Sequence, residues 1–386
     1  SMSACGHRPT VTTHQTKLKD MQRLHKPRGS PPPLHRRHRP RRLPLANQRL
    51  GHRSRGWASS LHPPPAFFFM EIDFFDPTLA AADAALENAE SGKPQRGYLG
   101  MSGIGDCPRK SYFQFYAAGQ QPFAAKTLKN FADGHRTEDL VIDRLRAVDG
   151  LTIIDRDPDT GRQLEVSDHE GHFLGHLDGE AFGLLQAPKT PHVFEVKCTS
   201  EKVFARFQKC KEKHGEKAAL REWNETYYAQ HQVYMLYRGR TRGWMVVATA
   251  GGRDWDSCRT DFDRKAAEFY SARAADIIFT PDALPPRIAD SPDFYKCRWC
   301  QFSKICYGET AANRNCRTCV WSAPVENGGW LCNRHDKSLT ASEQIEGCSD
   351  QRFRPVLVPG EVVEVHDDRI DYRMTNGELW SDEGAQ

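Results

Sequence analysis

The sequence lacks the features of a membrane-embedded or secreted protein. No apolar run approaches the roughly 18–20 residues that a membrane-spanning helix needs, and the longest candidate is the short stretch PPPAFFFM. There is no N-terminal segment with a charged start, an apolar middle and a small-residue cleavage site. We therefore expect a cytoplasmic protein. In that compartment its twelve cysteines indicate metal binding rather than disulfides.

Acidic residues are almost absent from the first 69 residues. This segment holds 14 Lys and Arg against one acid, Asp20, and is rich in Pro and His without helical or strand periodicity. We predict that residues 1–69 form a disordered basic extension. A nucleic-acid-binding arm, a transit peptide and sequence upstream of a start at Met70 all fit this composition. The remaining chain has 40 basic and 49 acidic residues. The net charge of +4 is therefore the sum of a basic N-terminal segment and an acidic remainder.

From Met70 the patterns are those of a globular α/β (α+β) protein with a mixed central sheet flanked by helices. Hydrophobic periodicity and capping residues predict the helices, and short β-branched runs bounded by turns predict the strands. The predicted helices are 76–91, 107–119, 128–148, 200–237 and 258–279, and the predicted strands are 151–157, 162–168, 172–185, 191–200 and 243–250.

The strand PHVFEVKCTS, residues 191–200, contains an acid and a base in an otherwise apolar run. Because strand side chains alternate between faces, Glu195 and Lys197 point the same way, and Phe194 and Val196 point the other way. Two ionisable groups on one face of a core-like strand carry a free-energy cost unless something there needs them. The pair therefore indicates a functional site.

Asp178 is the predicted partner of this pair. It precedes a Gly turn in GHLDGE, and if the two strands are neighbours it meets Glu195 at one edge of the sheet. Two carboxylates that close together repel each other unless a divalent cation lies between them. Oxygen ligands suit Mg²⁺ or Mn²⁺, which would lower the pKa of a bound water and neutralise charge on a phosphate. Lys197 would orient that water or stabilise the developing anion.

Asp178 followed by Glu195-Val196-Lys197 resembles the core of the PD-(D/E)XK nuclease superfamily, whose fold is restriction-endonuclease-like. The resemblance implies that Asp178, Glu195 and the backbone carbonyl of Val196 face the metal and that Lys197 is catalytic. Leu177 stands where the nominal motif has Pro.

Two flanking motifs resemble the RecB and lambda-exonuclease branch of the superfamily. Gln230-x-x-x-Tyr234 has a spacing that places both side chains on one helix face, near Lys197 and the scissile strand; packing of an aromatic helix face in the core is the alternative. Gly134 followed by Glu138 resembles the first helix of the branch, and the resemblance implies Glu138 as a further metal ligand; a solvated acid on a charged helix is the alternative. His135 ranks second, because it lies about 60° around the helix from Glu138.

Four cysteines resemble the iron–sulfur branch of these nucleases, which includes the AddB nuclease domain and the CRISPR-adaptation nucleases. One cysteine precedes the core and three follow it, and the resemblance implies that together they hold a 4Fe–4S cluster. A structural Zn²⁺ is the alternative. The four are Cys107, Cys297, Cys300 and Cys306.

A second set of cysteines follows, and its spacing is typical of a zinc-ribbon-like site. A second cluster and a role without metal are the alternatives. His335 could replace one thiolate. The four cysteines are Cys316, Cys319, Cys332 and Cys348.

These patterns predict three segments: the extension 1–69, a nuclease domain with an iron–sulfur cluster over 70–310, and a Cys₄ module with its tail over 311–386. The resemblance implies a metal-dependent DNA nuclease, an exonuclease acting on ends or single strands in phage recombination, repair or DNA processing. A recombination or repair protein partner and oligomerisation are compatible with it. The alternatives are a catalytically inactive DNA-binding or assembly subunit and an RNA-processing nuclease.

Overall fold

The structure is a computed structural model, and it describes residues 76–93, 95–120 and 122–384. The predicted basic extension, residues 1–69, lies outside the described residues. Within the described residues, no helix combines the length and the apolarity needed to cross a membrane.

Helices and short strands alternate along the chain. The helices are α1 Pro77–Ser91, α2 Pro108–Phe115, α3 Ala125–Arg146, α4 Glu201–His214, α5 Glu216–Trp223, α6 Glu225–Arg238, α7 Arg264–Phe279, α8 Ser303–Cys306 and α9 Ala341–Glu346. The strands are β1 Leu99–Gly100, β2 Thr152–Ile154, β3 Glu165–Asp168, β4 Phe173–His176, β5 Gly179–Phe182, β6 His192–Thr199, β7 Arg242–Thr249, β8 Trp255–Asp261, β9 Ser322–Val325, β10 Gly329–Cys332, β11 Lys337–Ser338, β12 Gly360–Val365, β13 Ile370–Met374 and β14 Leu379–Asp382.

The central sheet has five strands in the order β2-β5-β6-β7-β8. β6 and β7 are parallel, whereas the other neighbouring pairs are antiparallel. A second sheet has the strand order β1-β4-β3, and its strands precede β5 in the chain. Two small antiparallel sheets lie in the C-terminal part. The predicted mixed α/β fold, a mixed sheet flanked by helices, is confirmed.

Strands β6 and β7 of the central sheet are buried on both faces. Phe194, Val196 and Trp244 pack against Val141 and Ile142 of α3 on one face. On the other face Val193, Met245 and Val247 join a larger core that includes α4, α6 and α7. Burial on both faces explains the near-continuous apolar pattern of β6 and β7.

Three predicted elements are wrong in their boundaries. Residues 172–185 form two strands in different sheets, because the chain leaves β4 and enters β5 around Asp178. The predicted helix 200–237 is three helices, broken at Gly215, whose φ is +79°, and at Asn224, whose side chain caps α6. The start of the predicted helix 258–279 belongs to β8, and α7 begins only after the cap residue Asp263.

The Cys-rich C-terminal part packs on the same hydrophobic core as the rest. Trp330 is buried, with its ring centroid 5.4 Å from that of Phe115 in α2. The Arg317 guanidinium is buried and donates hydrogen bonds to the backbone carbonyls of Arg96 (2.9 Å) and Phe115 (3.4 Å). The residues before and after the predicted boundary near residue 310 therefore share one hydrophobic core.

Candidate active site

Strand alternation in β6 places Glu195 and Lys197 on the side that faces α6. Glu195 has no exposed surface, and the Lys197 side chain is 20% exposed. The Lys197 ammonium donates to Glu195 Oε2 at 2.7 Å. A buried carboxylate is tolerated when its oxygens are paired in this way.

Asp178 lies opposite Glu195 because of the register between β5 and β6, in which Gly179 pairs with Phe194. The Val196 backbone N–H donates to Asp178 Oδ2 at 2.8 Å, and the Asp178 N–H donates to Glu195 Oε1 at 3.4 Å. The structure thus brings Asp178 and Glu195 together at the start of β5, as their predicted role requires. The metal-facing role of the Val196 carbonyl stays a prediction.

Helix α6 supplies the next contact to Glu195. The Gln230 side-chain amide donates to Glu195 Oε2 at 2.9 Å and also lies 3.3 Å from the Tyr234 hydroxyl. That hydroxyl donates to the His176 carbonyl at 2.8 Å, at the end of β4. Gln230 therefore contacts Glu195 directly, whereas Tyr234 links Gln230 to the end of β4.

Glu138 of α3 completes the acidic group. Its half-buried carboxyl interacts with the carboxyl of Asp178. Burial and then the charge of Asp178 raise the pKa of Glu138 to about 8, while Lys197 opposes the shift. His135 is exposed. Of the two candidates on this helix, Glu138 is the one that reaches the site.

The pKa values of Glu195 and Lys197 are shifted by burial and by the neighbouring charges. Burial and then the charge of Asp178 raise the pKa of Glu195, against the opposing effect of Lys197. Burial alone would lower the pKa of Lys197, but the charges of Glu195 and Asp178 outweigh it and raise that pKa. Lys197 therefore stays a cation and acts as a hydrogen-bond donor rather than as a base.

Tyr227 is a site residue that is absent from the predicted set. Its ring lies 5.5 Å from the Lys197 ammonium, and Trp223 and Phe207 continue this aromatic contact away from the site. The signal was present in the spacing, because Tyr227 precedes Gln230 by three residues and shares its helix face.

The chemistry of the donors suits a divalent cation, although the ligand atoms of the three carboxyls do not all lie within 4.8 Å of one another. The carboxyls of Glu138, Asp178 and Glu195 are hard oxygen ligands of the kind that Mg²⁺ and Mn²⁺ prefer. Gln230 Oε1 is buried and accepts no hydrogen bond from any residue that the structure describes. A metal-bound water could donate to that oxygen.

A second group of possible ligands lies away from this site. Among the described residues, Glu364, His366 and Asp371 are the one group of three whose ligand atoms all lie within 4.8 Å of one another. The Arg369 guanidinium donates to Asp371 at 3.2 Å, so a cation already occupies that carboxylate. We assign no role to this group.

The structure brings the first cysteine set together. Cys107 precedes α2, and the charges of Cys107 and Cys306 contribute, after burial, to raising the pKa of the Cys300 thiol. Cys297 and Cys306 both interact with the Tyr307 hydroxyl. The four cysteines thus lie in one region although they come from two distant segments, but among the described residues no three of these sulfur atoms lie within 4.8 Å of one another. None of the described cysteines forms a disulfide.

The second cysteine set also converges. Burial, followed by the charges of Cys348, Cys319 and Cys332, raises the pKa of the Cys316 thiol to about 12. The His335 Nε2 atom lies 4.0 Å from the Cys348 sulfur. In the described part of the chain no three of these thiols lie within 4.8 Å of one another. The ligand roles in both sets stay predictions.

No protein-family model matches this chain, and no curated protein sequence does. Solved structures that are similar to it include an alkaline exonuclease from Laribacter hongkongensis, at 14% identity and a TM-score of 0.34 over 50% of this chain and 90% of that one. The same exonuclease in complex with dAMP gives 14% identity and a TM-score of 0.31, over 51% and 90%. A phage-related exonuclease from Haemophilus somnus 129PT gives 12% and 0.30, over 44% and 77%. Structural similarity at these TM-scores carries no argument about the function of this chain.

Proposed function

We propose that the protein is a Mg²⁺- or Mn²⁺-dependent deoxyribonuclease that hydrolyses phosphodiester bonds, working as an exonuclease on DNA ends or single strands. The observation that carries the proposal is the fully buried Glu195 carboxylate, which is held by Lys197 and Gln230 beside the carboxyl of Asp178. A fold gains no stability from crowding acids in this way, whereas hydrolysis of a phosphodiester needs them.

Each residue of the site has a separate role in the proposed reaction. Glu138, Asp178 and Glu195 would hold the ion, which when bound supplies a water of lowered pKa and neutralises charge on the phosphate. Lys197, a permanent cation here, donates to the attacking water or to the phosphate oxygen on which charge develops. Gln230 keeps Glu195 in position, and Tyr234 ties Gln230 to the end of β4.

A nuclease assay tests the proposal. Linear duplex DNA and single-stranded DNA are incubated with the protein in Mg²⁺, Mn²⁺ or EDTA, and shortening from the ends is separated from internal cutting on a denaturing gel. We expect metal-dependent cleavage that is absent in EDTA and in the Glu195→Ala variant. Cleavage that survives either condition would place the chemistry elsewhere.

The same assay separates the two alternative functions. Binding of DNA without any cleavage in Mg²⁺ or Mn²⁺ would indicate an inactive DNA-binding or assembly subunit. Cleavage confined to RNA would indicate an RNA-processing nuclease.

We further propose that the two cysteine sets hold structural metals. A 4Fe–4S cluster at Cys107, Cys297, Cys300 and Cys306 would join the segment before α2 to the segment around α8. The second set would hold Zn²⁺ through Cys316, Cys319, Cys332 and Cys348. The support is the convergence of each set from separate segments. Iron, sulfide and zinc analysis of anaerobically purified protein, with Cys107→Ser as the variant that should lose iron alone, tests both assignments.

A further inference from the structure

Helix α4 carries four exposed cations on one face. Lys202, Arg206, Lys209 and Lys213 are spaced by four, three and four residues. At 3.6 residues per turn their Cα atoms fall within an arc of about 60° and extend over roughly 16 Å along the axis. We call this set the basic stripe. The opposite face of α4 is buried through Phe204 and Phe207, so that the helix cannot turn the stripe inwards.

The cations of the basic stripe are not neutralised within the chain. Among the residues that the structure describes, none of the four forms an ion pair, whereas nearby Lys211 pairs with Asp256 and Lys217 pairs with Asp261. The two acids of α4, Glu201 and Glu212, lie roughly a quarter turn away from the stripe. Four like charges at helical spacing repel one another, which costs stability unless an anionic partner is present.

The stripe starts next to the candidate active site. β6, which carries Glu195 and Lys197, ends at Thr199, and α4 begins at Glu201. The N-terminus of α4, the positive end of its dipole, is therefore at the catalytic end of β6. The opposite face of α4 also lies near the site, because Phe207 contacts the Trp223 ring and Trp223 contacts the Tyr227 ring.

We propose that the basic stripe binds the phosphate backbone of the single DNA strand that enters the active site. This inference rests on the proposed function and adds to it the path of the substrate. A straight row of cations within a narrow arc matches one backbone, rather than two backbones on either side of a groove. Binding through phosphates alone would make the contact independent of base sequence.

The test compares two variants with the same loss of charge. The stripe variant carries Lys202→Gln, Arg206→Gln, Lys209→Gln and Lys213→Gln. The control variant carries Gln at four exposed cations that already form ion pairs, namely Lys93, Lys129, Arg264 and Lys337. Affinity for a 20-nucleotide single strand is measured in EDTA by fluorescence anisotropy over a series of salt concentrations. Thermal melting with and without Mg²⁺ shows that both variants fold and bind metal.

For the stripe variant we expect the slope of log K against log salt to become shallower by about 3, since each single-strand phosphate contact contributes about 0.7. Its affinity at low salt should fall on the order of 100-fold, and the control variant should bind like the wild type. Equal losses in the two variants would show an effect of net charge only and would overturn the inference, as would an unchanged slope in the stripe variant. A wild-type protein that does not cleave DNA in Mg²⁺ would instead overturn the proposed function, whatever the stripe does.

Discussion

At the scale of single residues, Lys197 is the side chain whose charge the proposed reaction depends on. Its ammonium bonds to Glu195 at 2.7 Å, and the neighbouring acids raise its pKa, so that it remains charged at physiological pH. For Lys197→Met we expect cleavage to fall by about 10²–10³-fold, the usual cost of losing one donor to a developing anion. Mg²⁺ affinity, measured by calorimetry, should persist, because Lys197 offers no ligand to a cation. Glu195→Gln should lose both cleavage and Mg²⁺ affinity. Equal loss of Mg²⁺ affinity in the two variants would contradict the division of roles.

At the scale of elements, the contact between β4 and α6 positions Gln230. A Cβ atom at Gly175 of β4 would lie 2.4 Å from the Tyr234 ring and 2.9 Å from its hydroxyl oxygen. Gly175→Ala should therefore force the two elements apart, lowering the free energy of unfolding by about 1–3 kcal/mol and reducing cleavage because Gln230 moves with α6. Gly134 of α3 is the matched control, since a Cβ there meets nothing within 4 Å.

For Gly134→Ala we expect an unchanged or slightly higher melting temperature, because alanine favours a helix over glycine by up to about 1 kcal/mol. Thermal melting and the nuclease assay check both variants. A neutral Gly175→Ala would contradict the tight contact. Lost cleavage in a stable Gly134→Ala would show that substrate passes over this turn of α3.

At the scale of the whole molecule, the acidic group links stability to pH and to metal. The pKa of Glu138 is raised to about 8 and that of Glu195 is raised as well, so the metal-free fold binds protons that the unfolded chain releases near pH 4–5. Its stability should accordingly decrease as the pH rises from about 5 to 8. Divalent cations compete with those protons, so the rise in melting temperature on adding Mg²⁺ should be larger at pH 8 than at pH 6.

Differential scanning fluorimetry across this pH range, with Mg²⁺ or EDTA, measures the effect. The variant with Glu138→Gln and Glu195→Gln is the control and should show no Mg²⁺-dependent shift at either pH. A shift that is equal at pH 6 and pH 8 in the wild type would mean that these carboxyls are not the ligands.

The sequence by itself determined the features that depend on local period. The alternation of β6 placed Glu195 and Lys197 on one face, and the helical spacing of Gln230 and Tyr234 placed them on one side of α6; the structure shows both arrangements. The cap of α1 at Asp76 was also readable, because an N-cap bonds to backbone only two or three residues away. Each of these relations is set within one or two turns of chain.

Only the tertiary structure decided which of these elements meet. That Asp178 lies between two strands of different sheets, and that Glu138 reaches it from α3, depends on packing between segments far apart in sequence. The same holds for the Cys-rich part, which the spacing suggested as a separate module. Its Arg317 and Asn315 donate to the carbonyls at the end of α2, Phe115 and Ala117, and so join it to the core. These hydrogen bonds satisfy the carbonyl groups at the end of a helix. No local sequence pattern identifies the donors, because the donors come from segments that only the tertiary structure brings close.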